Sequence, residues 1–262
     1  MKKKKKEKKI LYQLIFSAFL LFSNAYLVKA NSDILSQDST GKYCINTEQD
    51  YYNFIENIQN YNNKTVILCN DIDISDVPEA TSSFGGILNG KGHTITYASK
   101  EAKENIAVFP FRINDNGIVE NINVQIDESY AYNSETDEFQ TVFSRCDGIA
   151  KGITIKGNVT CIYDDEDTDV YIGAIEGNGT LMDSSIAITY DLQSEKTIEE
   201  IADDIVDNDL SFEFCQLGTI NTGITYQNCI GYGQYSEAIK SLADELEPKI
   251  EDNTWGYLCV SF

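Results

Sequence analysis

Residues 84–96 read FGGILNGKGHTIT, a stretch that holds four glycines, one lysine and the only histidine of the chain, His93. A Walker phosphate loop requires Ser or Thr after its lysine, but Gly92 follows Lys91. A dinucleotide-binding GxGxxG pattern fails as well, because Ile95 occupies its last position. Glycines at this spacing are typical of tight turns with positive φ, so the stretch predicts a turn between two short strands.

One pattern recurs along the chain: a β-branched or aromatic run, a turn of Asn, Gly or Asp, and a second such run. Four segments align on glycine: GIVENINV from Gly117, GIAKGITI from Gly148, GTLMDSSIAI from Gly179 and GTINTGITY from Gly218. The glycines lie 31, 31 and 39 residues apart, and the longer interval contains SEKTIEEIADDIVDN, which has helical spacing. A repeat of roughly 30 residues built from strands and turns predicts units that stack along one axis.

The sequence therefore predicts an all-β fold, a single-stranded right-handed parallel β-helix (solenoid) with an N-terminal cap helix and a C-terminal helical segment. Caps are expected because the end strands of a solenoid otherwise expose bare edges. The β-helix is predicted for residues 44–232, after a flexible leader at 31–43. The cap helix is predicted near 47–60 and a helical insertion near 195–208, while 233–262 would hold a C-terminal helix and a terminal strand.

Residues 45–96 resemble the opening module of exported bacterial right-handed β-helix proteins of the pectate-lyase-like superfamily, which include surface proteins with GLUG-type repeats. The run of that family, an initial helix, a "tv.L.nDIdl" strand and "f.G.ldG.gHtI", is matched by TEQDYYNFIENIQNYNNKTVILCNDIDIS and FGGILNGKGHTIT. Later Gly-x-I-x-Asn segments extend the resemblance to about residue 230. The resemblance implies a scaffold more than an activity. It also implies a structural role for His93, whose alternative role is that of a general base.

The first thirty residues have the layout of a secretory signal peptide, with a basic start, MKKKKKEKK, and an apolar run, ILYQLIFSAFLLF. That run is shorter than the roughly 20 residues that a membrane span needs. Cleavage is expected after Ala30, with Ala25 as the other candidate and an uncleaved anchor as the alternative. The protein is thus expected to be extracellular or on the cell surface, with no membrane span once the signal is removed.

The chain is strongly acidic, with a formal net charge of −22. Removal of residues 1–30 takes away eight lysines and one glutamate, which leaves 12 basic and 41 acidic residues and a charge near −29. Phosphate binding depends on neutralisation by Lys and Arg, so this charge excludes nucleic acid as a partner. It favours solubility and the binding of divalent cations.

Seven cysteines raise the question of disulfides. An exported chain can form them, although an odd number leaves one thiol over. Cys146 and Cys215 lie two and three residues before repeat glycines, and Cys161 and Cys229 lie thirteen and eleven residues after them. Recurrence at similar points favours thiols stacked in the interior over disulfides, and both interpretations stay open.

The segment DDEDTDVYIGAIE is the best candidate for a metal site. Asp165, Asp167 and Asp169 offer alternate carboxylates, and Glu176 stands at the twelfth position of an EF-hand-like count, so Ca²⁺ is the candidate ion. Val170 occupies the sixth position, where the sharp turn of such a loop requires glycine. An exposed acidic loop is the alternative.

Catalysis has two interpretations. A β-elimination lyase would need an Arg or Lys base beside carboxylates that bind a cation; Arg112 and Arg145 lie 33 residues apart and could stack on one face. Each also lies among apolar residues, in PFRIN and FSRCD, where it could equally pair with a neighbouring acid. A hydrolase needs carboxylates that face one cleft, and Asp71 and Asp73 alternate along one predicted strand. Such coincidences are expected among 41 acids, so no residue set is assigned as catalytic or cofactor-binding.

Sixteen tyrosines make binding an alternative to catalysis, because tyrosine offers a rigid contact area with a polar tip. Six of them lie at repeat-like positions: Tyr97, Tyr163, Tyr171, Tyr190, Tyr226 and Tyr232. The function predicted from the sequence is that of a secreted or cell-surface protein, a non-catalytic binding or adhesion-type module for an extracellular glycan or protein. The alternative is a polysaccharide-active enzyme, either a uronate-polymer lyase or a glycoside hydrolase, on the same fold.

Overall fold

A computed structural model describes residues 35–75, 77, 78, 80, 82–98, 107–132, 140–163, 170–208, 210, 212–217, 223–249 and 258–260. The chain divides into two compact units, Met1–Leu35 and Ser36–Phe262, and every helix and strand given below belongs to the second. The predicted signal peptide lies outside the described residues. Within the described ranges, no helix is long and apolar enough to cross a membrane.

The strands form three parallel sheets. Sheet A contains β1 (Tyr43–Ile45), β2 (Thr65–Leu68), β4 (Ile87–Asn89), β7 (Ile118–Glu120), β10 (Ile149–Lys151), β13 (Thr180–Met182) and β16 (Thr225–Gln227), in that order. Sheet B runs β3 (Ile72–Ile74), β5 (Thr94–Ala98), β8 (Asn123–Tyr132), β11 (Thr154–Ile162), β14 (Ser185–Gln193) and β17 (Ile230–Gly231), with β18 (Gln234–Tyr235) also paired to β14. Sheet C runs β6 (Phe109–Ile113), β9 (Gln140–Cys146), β12 (Val170–Gly177), β15 (Phe212–Phe214) and β19 (Leu258–Val260).

Strand pairing in the middle of sheet A, from β4 to β13, joins residues 31 positions apart. Ile118 lies beside Ile149, and Ile149 lies beside Thr180. The Ile149 amide donates to the Gly117 carbonyl at 3.0 Å, and the Thr180 amide donates to the Gly148 carbonyl at 2.9 Å. These strands therefore follow one another at the interval of the sequence repeat, whereas the pairs at the two ends of the sheet have intervals of 23, 22 and 45 residues.

The repeat glycines allow the close approach of successive turns. A Cβ atom on Gly148 would overlap the carbonyl oxygens of Gly117 and Asn114, and one on Gly179 would overlap that of Gly148. No side chain larger than hydrogen fits there without a shift of the backbone. The fourth aligned glycine, Gly218, lies outside the described residues.

Residues in the left-handed backbone conformation follow four of the strands of sheet A. After β7, β10, β13 and β16 the next residue has positive φ: Asn121 (54°), Gly152 (61°), Asp183 (47°) and Asn228 (52°). Asn, Asp and Gly tolerate this conformation best. In the opening stretch, Lys91 (52°) and Gly92 (82°) make the turn between β4 and β5, as the sequence predicted. Of the four glycines in this stretch only Gly92 has positive φ, whereas a Cβ atom on Gly86 or Gly90 would overlap neighbouring backbone atoms. The His93 amide closes the turn on the Gly90 carbonyl at 2.9 Å.

The first helix, α1 (Glu48–Glu56), begins at Thr47, whose hydroxyl accepts the Asp50 amide at 3.1 Å. It buries Tyr51, Phe54 and Ile55 and continues into a short 3₁₀ helix, Ile58–Tyr61. The Tyr51 hydroxyl donates to the Val108 carbonyl at 2.6 Å, which satisfies the polar tip of a fully buried side chain.

Two further helices pack against each other near the end of the chain. Helix α2 (Ile198–Asp207) begins with a capping box of Thr197 and Glu200 and buries Ile201, Ala202 and Ile205. Helix α3 (Glu237–Leu246) begins at Ser236 and buries Ile239, Leu242 and Leu246 against α2 and β14. The three α-helices lie within the ranges 47–60, 195–208 and 233–262, in which the sequence predicted helix.

The fold class predicted from the sequence is wrong. The described residues do not form an all-β, single-stranded right-handed parallel β-helix: they form three separate, open, parallel sheets with three α-helices, which corresponds to a layered α/β arrangement. The strand-and-turn repeat specifies only which strands pair within a sheet. Whether the sheets close, and how the helices pack, depends on long-range contacts that the repeat does not encode.

Candidate functional site

Both arginines of the chain, Arg112 and Arg145, lie side by side on sheet C. Arg112 on β6 is exposed between the buried Phe111 and Ile113, because successive side chains of a strand point to opposite faces. Arg145 on β9 is its partner in the strand register. The two strands are about 4.8 Å apart, so the guanidinium groups project from one face as neighbours.

The register of the two arginines is supported by the buried side of the same strands. The rings of Phe109 and Phe143 are register partners and stack with their centres 4.3 Å apart and their planes 17° from parallel. Both rings are almost completely buried. The pairing shifts by one residue between these rings and the arginines, an irregularity of the β-bulge kind. Beyond it Ile113 pairs with Cys146, and the complete burial of both side chains holds Arg112 beside Arg145.

A single carboxylate, that of Asp147, joins the two arginines. Its Oδ2 atom lies 2.5 Å from Nε of Arg112 and 3.3 Å from Nε of Arg145. The backbone amide of Asn178 donates to Oδ1 at 3.2 Å. The Asp147 side chain is only 6% exposed, whereas those of Arg112 and Arg145 are 55% and 42% exposed. A nearly buried acid thus holds two outward-facing cations in place.

Glu176 on β12 adds a second carboxylate to this surface. Its Oε1 atom lies 3.7 Å from Nη1 of Arg145. The outer face of β6, β9 and β12 therefore presents Arg112, Arg145 and Glu176 on three successive strands, with Asp147 in the turn after β9. We refer to these four residues as the arginine cluster; its formal charges cancel.

The environment of Asp147 keeps its carboxylate charged. Burial acts to raise the pKa of Asp147, but the hydrogen bond from Arg145, the charges of Arg145 and Arg112 and the Asn178 amide together hold it below its ordinary value. Asp147 is therefore ionised at neutral pH and is not a proton donor there. Both guanidinium groups are engaged by this carboxylate, which disfavours either arginine as a proton-abstracting base.

His93, the other residue considered for catalysis, is not part of the arginine cluster and lies in the turn before β5. Its Nδ1 atom lies 3.0 Å from Oδ1 of Asp71, which also accepts the Thr94 amide at 2.8 Å. These two hydrogen bonds, with that from Thr94 the stronger influence, lower the pKa of the exposed Asp71 carboxyl. Asp71 and His93 thus tie two successive turns together, in keeping with a structural histidine. Asp73 is exposed on β3.

Only one of the four predicted calcium ligands, Glu176, lies among the described residues. Asp165, Asp167 and Asp169 lie outside the described residues. Glu176 lies on β12, with its carboxylate directed to Arg145. Among the described residues, no group of three or more His, Cys, Asp or Glu could hold a metal ion. The calcium site therefore stays a prediction, and the geometry of Glu176 places it in a different cluster.

The cysteines divide into two kinds. Cys44 on β1 and Cys69 after β2 form a disulfide that the sequence did not predict. Cys146, Cys161 and Cys215 are buried. Burial raises the pKa of the Cys146 thiol to about 12, so it stays protonated.

Most of the predicted binding tyrosines belong to the core. Tyr97, Tyr163 and Tyr190 are almost completely buried. Tyr171 is half-buried on β12. Only Tyr226 and Tyr232 of the six are exposed; Tyr226 lies on β16, and Tyr232 directly follows β17.

A cleft lies at the ends of β11 and β14, beside the start of α2, and is lined by residues that include Tyr163, Lys196 and Glu200. Its charged groups serve local structure: Lys196 Nζ lies 2.7 Å from Asp204 Oδ2, and Glu200 closes the capping box of α2. The arginine cluster is therefore the stronger candidate site.

Comparison with models of protein families, with curated proteins and with solved structures finds no match for this chain. The fold and the cluster define it as a parallel-sheet protein with a charge-balanced polar cluster on the outer face of sheet C.

Proposed function

We propose that the protein is exported and binds an extracellular glycan at the arginine cluster without cleaving it. The observation that carries this proposal is the pairing of Arg112 with Arg145 through Asp147 on the outer face of sheet C. Guanidinium groups supply fixed hydrogen-bond donors, and the carboxylates of Asp147 and Glu176 supply acceptors. Donors and acceptors side by side match the neighbouring hydroxyl groups of a sugar, which both donate and accept.

The charge of the chain favours a neutral glycan over an acidic one. At a formal charge of −22 the protein repels polyanions at long range. The four charges of the arginine cluster cancel, so a neutral chain of hydroxyl groups meets neither attraction nor repulsion there beyond hydrogen bonding. Sheet C offers this ligand a row of side chains on adjacent strands, which suits an extended polymer.

Two observations support an extracellular or cell-surface location. The first thirty residues have the layout of a cleavable signal peptide. The Cys44–Cys69 disulfide is of a kind that persists in oxidising compartments and is rare in the cytosol.

Affinity electrophoresis through gels that contain neutral or acidic polysaccharides, followed by a glycan array, tests the proposal. We expect retardation by a neutral polymer and loss of that retardation in Arg112→Gln. This variant is suitable because Asp147 keeps Arg145 and the Asn178 amide as partners. The matched control is Lys156→Gln, an exposed cation on β11 of sheet B. Equal retardation of both variants, or binding of no glycan by the wild type, contradicts the proposal.

The same cluster supports a second candidate function, that of a polysaccharide-active enzyme. Two arginines in register beside two carboxylates form a group that a uronate-polymer lyase or a glycoside hydrolase could use. The shared Asp147 weighs against an arginine base, as argued above. Release of unsaturated or reducing ends from uronate polymers or neutral glycans by wild-type protein, and not by Arg145→Gln, would establish the enzyme instead.

A further inference from the structure

The large hydrophobic side chains that are exposed among the described residues lie in one short segment. Tyr226, Ile230 and Tyr232 are 38%, 57% and 53% exposed. They belong to β16, to β17 and to the residue after it. Exposed apolar groups are usually scattered on a protein surface, so their concentration in seven residues marks an interaction surface.

This segment also forms the open end of two sheets. β16 is the last strand of sheet A and β17 the last of sheet B, and no described strand pairs with their outer sides. All three residues of β16 are exposed. At the opposite end of sheet A, by contrast, Tyr43 of β1 forms an antiparallel bridge with Gln37, and α1 packs on β1. An uncovered edge presents backbone N–H and C=O groups that can pair with another strand.

The charge pattern indicates which partner can cover this end. Residues 223–235, GITYQNCIGYGQY, contain no Asp, Glu, Lys or Arg, in a chain whose net charge is −22. Two copies of so acidic a protein repel each other through most of their surface. The segment itself brings no like charges into such a contact and contributes no charged side chain that would have to lose its water. The segment is therefore suited to a second copy of the same chain.

We propose that the terminal edge, residues 225–232, binds the terminal edge of a second copy to form a two-fold dimer. In a two-fold contact the same patch meets itself, so β16 of one copy lies antiparallel to β16 of the other. The edge then gains backbone hydrogen bonds, and Ile230 and Tyr232 are covered. This surface is distinct from the arginine cluster, so dimerisation and glycan binding are independent of each other.

Sedimentation velocity and light scattering on the purified protein, in the form that accumulates in an expression host, test the dimer. We expect a monomer–dimer equilibrium that strengthens as salt is raised, because salt screens the repulsion between the acidic copies. Ile230→Lys and, separately, Tyr232→Lys place a charge in the contact and are expected to weaken association at least tenfold. The control is Asn158→Lys, which adds the same charge at an exposed position of β11 and leaves association unchanged.

Circular dichroism of each variant separates loss of contact from loss of folding. A wild type that stays monomeric at every concentration overturns the proposal, as do two folded lysine variants that dimerise as well as the control. Hydrogen exchange adds an independent readout, in which the amides of 225–231 become protected as protein concentration rises. Protection that does not depend on concentration would show that the chain covers its own edge, and would also overturn the dimer.

Discussion

Arg112 and Arg145 are 33 residues apart in the sequence but lie side by side on β6 and β9 and share the carboxylate of Asp147. The chain contains no other arginine. The pairing makes a charge-balanced surface out of residues that would otherwise be isolated cations on a very acidic protein. It also makes Asp147 important for stability.

Removal of the Asp147 charge is expected to destabilise the fold. Asp147→Asn keeps the shape but removes the anion that the two guanidinium groups share, so that only Arg145 keeps an acidic partner, Glu176. Because those groups are half-exposed, we expect a loss of about 1–3 kcal/mol in the free energy of unfolding. Urea denaturation measures it, with the exposed Asp73→Asn as control, which should change stability by less than about 0.5 kcal/mol. Equal midpoints for the two variants would refute the role given to Asp147.

Stability is expected to fall in acid, partly through Asp147. Its pKa in the folded protein lies below that of the unfolded chain, so its contribution is fully present above the unfolded pKa of about 4. The contribution is lost as the pH falls through the folded pKa. Urea midpoints measured between about pH 5 and pH 2 should therefore drop less steeply in Asp147→Asn than in the wild type. Parallel curves would mean that Asp147 has no lowered pKa.

Gly148→Ala is expected to be strongly destabilising, because the added Cβ would overlap the carbonyl oxygens of Gly117 and Asn114. We expect a loss of about 3 kcal/mol. Gly92→Ala is the matched control: Gly92 has a φ of 82° but nothing within 4 Å of an added Cβ, so only the left-handed backbone is penalised, by about 1 kcal/mol. Thermal or urea unfolding of both variants tests the difference, and a Gly148→Ala protein as stable as Gly92→Ala would disprove the close approach.

The Cys44–Cys69 disulfide is expected to stabilise the first strands of sheet A. Cys44→Ser/Cys69→Ser should lower the free energy of unfolding by about 2–4 kcal/mol, since it frees a loop of 25 residues in the unfolded chain. A reducing agent should lower the melting temperature of the wild type but not that of the double variant. Cys229→Ser, at a half-exposed thiol, is the control and should melt like the wild type.

The signal-peptide prediction is tested by N-terminal sequencing of protein recovered from the culture medium of an expressing cell. Cleavage after Ala30 gives a chain that begins at Asn31, and cleavage after Ala25 gives one that begins at Tyr26. Protein that retains Met1 and stays with the cells would contradict cleavage and favour the uncleaved anchor.

Local features of the structure could be predicted because they depend on neighbouring residues. Ser236 and the Thr197–Glu200 pair mark the starts of helices through hydrogen bonds within one turn. The opening stretch places a turn at Lys91 and Gly92 because only a few residue types adopt positive φ easily. The spacing of Gly117, Gly148 and Gly179 likewise anticipates the interval at which β7, β10 and β13 pair in sheet A.

The candidate site was only partly predictable. The 33-residue interval indicated that Arg112 and Arg145 could lie on one face, and the sequence also indicated that each could pair with a neighbouring acid. Nothing in the spacing indicated that the same Asp147 would serve both arginines, or that Glu176, assigned to a calcium loop, would approach Arg145. The Cys44–Cys69 pair was missed because their proximity depends on how β1 and β2 meet.

The sequence by itself determined the turns, the helix starts, the strand interval and the strongly acidic charge, because each depends on composition or on residues close along the chain. Only the tertiary structure decided that the described strands form three open sheets with three α-helices, and not the single closed solenoid expected from the repeat. It alone also decided which side chains share a surface. Sheet closure and ion pairing are set by contacts between residues far apart in sequence, whose geometry exists only once the backbone is packed.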